Sequence, residues 1–197
     1  MKISIEGNIA SGKSTLSSKL QQKTRIPVFL EPVETWTLLD KFYLDIPRWG
    51  FTFNTEVLIS MSQWKFNNYN AIYERSPNSC RHVFTQLMHD DGILCDEELC
   101  LFDKLYTNFG WDQDVLIYVR TPPEVCFERM HKRGRDCEMG GVSLDYLRKL
   151  DKKHDDMMKL LRQNKPSIRI IEIDGVASAD DVFHNVMDIL KNDLKLI

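Results

Sequence analysis

The chain has 197 residues, 43% of them hydrophobic, which is enough for one substantial core and too few for two comfortable domains. Its 26 Lys and Arg residues against 29 Asp and Glu residues give a net charge of -3, which argues against a protein that coats nucleic acid with positive charge. No run approaches the roughly 18 apolar residues of a membrane span and no secretory leader is recognisable, so we expect a single domain over residues 1–197, soluble and cytoplasmic.

Short apolar segments alternate with longer segments of helical period along the chain. The strand-like segments are residues 3–6, 28–31, 71–74, 115–119 and 168–173. The helical segments are residues 13–22, 35–43, 54–70, 97–108, 123–132, 143–163 and 179–194. Strands that alternate with helices predict a parallel sheet with helices on both faces. We therefore expect an α/β fold, with a five-stranded parallel sheet between two helical layers.

The sequence GNIASGKST, residues 7–15, follows the first predicted strand and precedes the first predicted helix. Its glycines, lysine and serine match the P-loop pattern in the strand–loop–helix context that the pattern requires. In such a loop, backbone N–H groups and the helix N-terminus surround phosphate oxygens, the lysine neutralises the outer phosphates and the serine hydroxyl reaches Mg²⁺. We predict an α/β fold of the P-loop NTPase type, with a nucleotide-phosphate site formed by Gly7, Asn8, Ile9, Ala10, Ser11, Gly12, Lys13, Ser14 and Thr15.

A P-loop alone does not distinguish among switches, motors, synthetases and small-molecule kinases. A GTPase should also carry an Asn-Lys-x-Asp guanine reader, and the nearest match, residues 164–167, reads Asn-Lys-Pro-Ser. A remodelling ATPase would usually add a strand that ends in Asp-Glu, which none of the predicted strands does. Both classes are therefore disfavoured.

Charged residues end two further predicted strands. Glu31 ends the second within EPVETW, and Glu74 and Arg75 end the third within ERS. The carboxyl ends of parallel strands meet at the crevice where ligands bind, so these side chains could converge on the terminal phosphate and an acceptor. Purely structural roles for these residues are the alternative. Glu31 could cap the next segment, and Glu74 and Arg75 could form an ion pair.

Together, GNIASGKST, EPVETW and ERS closely resemble the deoxynucleoside kinase family, the cellular and viral enzymes that phosphorylate the 5′-hydroxyl of deoxyribonucleosides. The resemblance runs from residue 3 to about residue 175. It implies ATP as the phosphate donor, Mg²⁺ and a deoxynucleoside acceptor. It also implies a homodimer formed through residues 79–88 and 97–108, in the cytosol of the host if the chain is virus-encoded.

The resemblance assigns catalytic roles to the strand-end residues. Glu31 is implied to be the general base that takes the proton of the 5′-hydroxyl, a poor nucleophile while neutral. Arg75 is implied to hold Glu31 ionised and to contact the 5′-oxygen. Glu74 is implied to orient Mg²⁺ together with Ser14.

A glycine-punctuated segment at residues 133–141 resembles the family's lid. Arg129 and Arg133 are implied to bind the donor phosphates, and Arg133 and Arg135, with Lys13, to stabilise the charge that develops during transfer. A solvated, arginine-rich helix C-terminus, favoured by the helix dipole, is the alternative. Glu138 matches a family contact to the sugar 3′-hydroxyl, although the lid carries one extra residue after it.

The family resemblance also implies where the nucleoside binds. Tyr43 is the second implied contact to the 3′-hydroxyl. Asn54, Val57 and Met61 share one helical face, which is typical of a core stripe and also matches the family's nucleobase surface. The remaining residues implied to close around the base are Trp36, Cys80 and Phe84.

Three positions bear on which base is bound. Asn54 stands where the family usually has glutamine, so the same donor and acceptor are one methylene shorter. Met61 and Cys80 stand where deoxycytidine-preferring members carry charged residues and thymidine-accepting members apolar ones. An apolar floor leaves room for the 5-methyl group of thymine, so we expect pyrimidines, with thymidine foremost.

Two alternatives remain from the sequence. A nucleoside monophosphate kinase of the thymidylate kinase type shares the P-loop and a nearby carboxylate and arginine. A nucleotide-dependent binding module would hydrolyse ATP only to change shape.

Overall fold

The computed structural model describes residues 1–135 and 141–197. A five-stranded parallel sheet has the order β2-β3-β1-β4-β5. Its strands are β1 (Lys2–Glu6), β2 (Val28–Phe29), β3 (Ala71–Glu74), β4 (Val115–Arg120) and β5 (Arg169–Asp174). The predicted α/β fold is confirmed.

Helices cover both faces of the sheet. They are α1 (Lys13–Lys23), α2 (Leu39–Leu44), α3 (Ile46–Ser62), α4 (Pro77–Ser79), α5 (Gln86–Asp90), α6 (Asp96–Phe109), α7 (Pro123–Arg133), α8 (Leu144–Asn164) and α9 (Ala179–Asp188). A 3₁₀ turn spans Val33–Thr35, and π-helical turns span Cys80–Thr85 and Ile189–Asp193. None of these described helices has the length and apolar character to span a membrane.

Alternation along the central strands divides the core between the two faces of the sheet. In β4, Ile117 packs with residues of α1 and α9, whereas its neighbours Leu116 and Tyr118 pack with residues of α7 and α8. A third apolar cluster joins α3 to α6 beside β3. This burial on both faces explains why the central strands appear in the sequence as nearly continuous apolar runs.

The helix that carries the predicted nucleobase face has other bounds than the sequence predicted. It begins at Ile46, not at residue 54, and ends at Ser62, not at residue 70. The Asp45 side chain caps it by accepting a hydrogen bond from Arg48 N at 3.1 Å, and a proline occupies the first turn. Beyond Ser62 the chain continues in tighter turns, in which Lys65 N donates to Ser62 O at 2.9 Å.

The segment after β2 also differs from its prediction. β2 ends at Phe29 instead of residue 31, because this edge strand pairs only with β3 and over only two positions. The helix predicted at 35–43 forms only as α2, from Leu39. The Glu56 carboxylate accepts hydrogen bonds from the backbone N–H groups of Thr37 and Leu38, and so holds this stretch out of the helix.

Removal of the Asp45 cap should destabilise the protein. We expect Asp45→Ala to lower the free energy of unfolding by about 1 kcal/mol, because a backbone N–H of the first turn of α3 loses its acceptor. Urea denaturation would measure this. Glu128→Ala is the control, since Glu128 is exposed on α7 and makes no hydrogen bond to the described residues. Equal destabilisation by both substitutions would contradict the capping role.

Candidate active site

A single cleft of about 700 Å³ lies at the carboxyl ends of β1 and β3. The P-loop forms one end, and α3 with the π-helical turn Cys80–Thr85 forms the other. The predicted site residues that line it are Ile9, Ala10, Ser11, Gly12, Lys13, Ser14, Thr15, Glu31, Trp36, Tyr43, Asn54, Val57, Met61, Glu74, Arg75, Cys80, Phe84, Arg129, Arg133 and Arg135. Gly7 and Asn8 lie behind the loop, and Glu138 falls outside the described residues.

Left-handed backbone shapes the P-loop. Gly7 has a φ of 151°, and a Cβ there would lie 2.7 Å from the carbonyl oxygen of Val119, so only glycine fits against β4. Gly12 has a φ of 106° immediately before α1 begins at Lys13. The positive helix end therefore faces the cleft, where an anion would bind.

Lys13 is buried at the mouth of the P-loop. Its Nζ donates a 2.6 Å hydrogen bond to the carbonyl oxygen of Asn8. Burial, together with the Arg75 charge, lowers the pKa of Lys13 to about 8, although the carboxylates of Glu31 and Glu74 oppose the shift. The buried positive charge of Lys13 is therefore only partly balanced by neighbouring groups. A bound phosphate would balance it.

The side chain of Asn8 ties the P-loop to α8. Its Nδ2 donates to the carbonyl oxygen of Leu147 at 2.8 Å, and its Oδ1 accepts from the backbone N–H of Ile9 at 2.9 Å. Both polar atoms are thus used inside the protein. Asn8 therefore shapes the loop and offers the cleft only its backbone.

Glu31 and Arg75 form an ion pair in the middle of the cleft. Arg75 Nε lies 2.8 Å from Glu31 Oε1, and Arg75 Nη1 donates to the carbonyl oxygen of Gly7 at 3.2 Å. The guanidinium group also stacks over the ring of Phe84, 4.8 Å from its centroid. Arg75 has a φ of 68°, which is strained for a residue with a side chain and recurs at functional sites.

The proton affinity of Glu31 is raised in this setting. Burial raises its pKa above the ordinary glutamate value, the Arg75 charge opposes that rise, Glu74 adds to it and Lys13 opposes it. Arg75 therefore counteracts burial without outweighing it. A carboxylate of raised pKa takes up a proton more readily, as a general base near neutral pH must.

Ser14 and Glu74 place two oxygens side by side at the start of α1. The Ser14 hydroxyl donates to Glu74 Oε1 at 2.6 Å, and Glu74 is almost fully buried. Mg²⁺ prefers oxygen ligands and takes only one or two from protein when phosphates and waters complete its shell. The pair therefore fits a magnesium ion bound together with a nucleotide.

Asn54 lies on α3 at the apolar end of the cleft. Its Nδ2 donates to the carbonyl oxygen of Gly50 at 3.1 Å and contacts Met88 Sδ at 3.5 Å. Because both partners only accept hydrogen bonds, the amide nitrogen faces them, and Oδ1 accepts no hydrogen bond from the described residues. Asn54 thus offers a ligand an acceptor in preference to a donor.

The other predicted nucleobase residues form an apolar wall. Val57, Met61 and Cys80 are buried around Asn54, and burial raises the pKa of the Cys80 thiol so that it stays neutral. Trp36 is fixed by a 3.1 Å hydrogen bond from its Nε1 to Ser60 Oγ. These contacts predict a pocket for a flat, largely apolar group.

The arginine-bearing helix α7 reaches the donor end. Arg129 Nη1 donates to the carbonyl oxygens of Gly175 at 2.8 Å and Ser11 at 3.3 Å, and so joins the P-loop to the segment after β5. Arg133 and Arg135 line the same cleft. Tyr43 adjoins the far side of the lid, since a Cβ at Gly141 would lie 2.6 Å from its ring.

Several lining residues were not predicted from the sequence. Phe42, Phe53, Met88 and Tyr146 all line the cleft. Phe53 lies one turn before Val57, so its place on the same face of α3 was a detectable signal. Tyr146 and Met88 reach the cleft only through the packing of α8 and α5, which no local pattern shows.

Comparisons with known proteins indicate a kinase, in agreement with the P-loop and the cleft. The deoxynucleoside kinase family model matches residues 3–195. The probable deoxycytidine kinase FPV151 of Fowlpox virus (strain NVSL) is 34% identical over 203 residues, which are 97% of this chain and 86% of that protein. Mitochondrial thymidine kinase 2 of Homo sapiens is 31% identical over 169 residues, which are 79% of this chain and 63% of that protein.

A solved structure shares the whole fold. The deoxyadenosine kinase from M. mycoides, with products dCMP and a flexible dCDP bound, superposes with a TM-score of 0.86 at 24% identity, over 98% of this chain and 100% of that chain. The matched motifs, the cleft that joins them and these relatives lead to one conclusion. The chain belongs to the deoxynucleoside kinase family and is an ATP-dependent kinase.

Proposed function

We propose that this protein transfers the γ-phosphate of ATP to the 5′-hydroxyl of a pyrimidine deoxynucleoside, with thymidine the preferred acceptor and Mg²⁺ bound with the nucleotide. One observation carries the proposal. The Glu31–Arg75 pair lies in the same cleft as the P-loop and the apolar pocket, between the places where a donor phosphate and a nucleobase would bind.

Glu31 acts as the general base. The sugar hydroxyl enters beside the carboxylate, which accepts its proton as the 5′-oxygen attacks phosphorus. Arg75 orients Glu31 through the 2.8 Å ion pair and directs its remaining N–H groups toward the reacting oxygens. Three carboxylates around Arg75 (Glu31, Glu6 and Glu74) keep that guanidinium charged.

Cationic side chains at the donor end stabilise the transferring phosphoryl group. Lys13 exchanges its bond to the Asn8 carbonyl for a phosphate oxygen, which compensates its buried charge. Arg129, Arg133 and Arg135 close over the donor from α7 and the lid. Ser14 and Glu74 hold Mg²⁺, which neutralises phosphate charge when it is bound.

The orientation of Asn54 supports thymidine as the acceptor. An acceptor oxygen at the base edge pairs with the N3–H of thymine, whereas cytosine carries an unprotonated N3 there. The neutral Cys80 and the thioether of Met61 leave space for the 5-methyl group and supply no charge for an amino group. The proposed 3′-hydroxyl contacts are Tyr43 and Glu138.

An acceptor panel tests this function. ADP release should depend on added nucleoside, with thymidine the best of the four deoxynucleosides and thymidine monophosphate inactive. N3-methylthymidine, which lacks the N3–H, should raise KM by about tenfold or more, the loss of one good hydrogen bond. Phosphorylation of thymidine monophosphate would favour the thymidylate kinase alternative, and hydrolysis indifferent to nucleosides would favour the binding module.

Glu74→Gln should raise the Mg²⁺ concentration needed for half-maximal activity by about tenfold, because an amide oxygen is a weaker ligand than a carboxylate. The measurement is turnover against Mg²⁺ concentration at saturating ATP and thymidine. Glu128→Gln, on the exposed face of α7, is the control. An unchanged Mg²⁺ requirement in Glu74→Gln would remove Glu74 from the metal site.

The family homodimer is also proposed for this chain, through residues 79–88 and 97–108. Leu101 and Phe109 support it, because both are exposed apolar side chains on α6. Analytical ultracentrifugation should give the mass of two chains, and Leu101→Lys should shift the species toward one.

A further inference from the structure

Glu6 is a buried carboxylate at the start of the P-loop, and unlike Glu31 and Glu74 it does not line the cleft. It ends β1 and is 0% exposed. The Ser76 hydroxyl donates a 2.6 Å hydrogen bond to its Oε1, while its Oε2 has no hydrogen-bond partner among the described residues. An incompletely satisfied buried carboxyl group is costly to the fold, which calls for a compensating interaction.

The backbone on both sides of Glu6 holds Arg75. The N–H of Arg75 donates to the carbonyl oxygen of Ile5 at 3.0 Å, and its Nη1 donates to that of Gly7 at 3.2 Å. The register of β1 with β3 sets Ile5 opposite Glu74, so Arg75 leaves its strand beside Glu6. Glu6 therefore stands between the two residues whose carbonyl groups hold Arg75, and its own side chain does not line the cleft.

The bond between Glu6 and Ser76 acts on a strained turn. Arg75 has a φ of 68°, a conformation that costs about 1–3 kcal/mol and persists only when its surroundings fix it. Ser76 is the next residue, is itself fully buried, and is fixed by the 2.6 Å bond to Glu6. The bond thus holds the turn from its far end.

Charge links Glu6 to Arg75 as well. The pKa of Glu6 is raised to about 7, because burial raises it by more than the positive charge of Arg75, the foremost opposing influence, lowers it. The other groups that face Glu6 are the hydroxyls of Ser76 and Ser79, the ammonium of Lys13 and the thiol of Cys80. Glu6 and Glu31 thus both interact with the charge of one guanidinium group.

We propose that Glu6 is a positioning residue for phosphoryl transfer, which fixes the strained Arg75 through Ser76 and so holds the ion-pair partner of Glu31 in place. This inference rests on the proposed role of Glu31 as the general base.

The expected effect follows from the bond between Glu6 and Ser76. Because the pKa of Glu6 is raised to about 7, this carboxyl group is largely neutral below that pH, and its hydrogen bond matters there more than its charge. Glu6→Gln keeps an acceptor for Ser76, so kcat should stay close to the wild-type value. Glu6→Ala removes the acceptor, so kcat should fall by about tenfold while KM for thymidine changes far less.

The test compares kcat and KM for thymidine in the wild-type enzyme and four variants. Glu6→Ala should lower kcat, and the conservative Glu6→Gln should restore it. Ser76→Ala loses the bond from the other side, so it should lower kcat by about tenfold with Arg75 less firmly held. Ser4→Ala is the matched control, because Ser4 is buried on the same strand and face and its hydroxyl has no partner among the described residues. Its kcat and KM should equal those of the wild type.

A folded Glu6→Ala enzyme with wild-type kcat would overturn the proposal. If Glu6→Ala does not fold, Glu6→Asp decides, since the shorter side chain withdraws from Ser76. Glu6→Asp should lower kcat with little change in KM, and wild-type turnover would overturn the proposal. Glu31→Gln separates the two hypotheses, because an acid limb that survives this substitution refutes the base role of Glu31 itself.

Discussion

Replacement of Glu31 by glutamine should lower kcat with thymidine by about 10²- to 10⁴-fold, the usual contribution of a positioned general base. The amide has nearly the same shape, so the site keeps its packing while it loses the group that accepts the 5′-hydroxyl proton. KM for thymidine should change far less, because the lost interaction belongs to the transition state. Steady-state kinetics with a coupled ADP assay would measure both constants.

Glu128→Gln is the control for this experiment, since it makes the same chemical change on the exposed face of α7. It should leave kcat at the wild-type value. Near-normal turnover in Glu31→Gln would show that another group, or none, takes the proton. A loss confined to KM would instead make Glu31 a binding residue.

Arg75→Met should be the most damaging single substitution for stability and activity together. It leaves Glu31 and Glu6 buried without their shared cation, and the loss of one partner from a buried ion pair costs about 3–5 kcal/mol in unfolding free energy. Turnover should fall by about 10²-fold or more, as Glu31 loses its orientation. Removal of the positive charge also raises the pKa of Glu31, so the acid limb of kcat/KM should move to higher pH.

Urea denaturation and the pH profile of residual activity would measure these effects. Arg75→Lys separates charge from geometry, because lysine keeps the cation and loses the planar fork that reaches both Glu31 and the Gly7 carbonyl. We expect Arg75→Lys to recover much of the stability and little of the turnover. A stable Arg75→Met enzyme with an unshifted acid limb would contradict the electrostatic role of Arg75.

Much of the architecture was predictable from local patterns. The strand–loop–helix context of residues 7–15 identified the P-loop, and the alternation of apolar runs with helical periods predicted the parallel sheet. Because parallel strands place their carboxyl ends together, the convergence of Glu31, Glu74 and Arg75 followed from the strand ends alone. The features that were predicted correctly therefore depend on chain order and strand direction.

Most of the remaining features depend on tertiary contacts that no local pattern shows. The predicted start of α3 was wrong for a local reason and a tertiary one, because helical period alone reveals neither the cap at Asp45 nor the close approach of Gly50 to Met88. The start of α2 depends on the carboxylate of Glu56, which belongs to α3. Asn54 presents its amide oxygen to the cleft only because the Gly50 carbonyl and Met88 contact its amide nitrogen.

The electrostatic arrangement behind the site was equally invisible in the sequence. Glu6 stands at the end of an apolar strand, where a glutamate is usually an exposed residue. Only the parallel pairing of β1 with β3 brings it beside Ser76 and Arg75. The rise in the pKa of Glu31 likewise depends on how deeply the cleft encloses the Glu31–Arg75 ion pair, which sequence spacing does not determine.

A crystal structure of the enzyme with thymidine and a non-hydrolysable ATP analogue is the most direct test of the central claim. We expect the 5′-oxygen about 2.6–3.2 Å from a carboxylate oxygen of Glu31. The same oxygen should lie about 3–3.5 Å from the terminal phosphorus, in line with the bond that breaks. A 5′-oxygen beyond the reach of Glu31, or a sugar turned toward α3 and away from the P-loop, would contradict it.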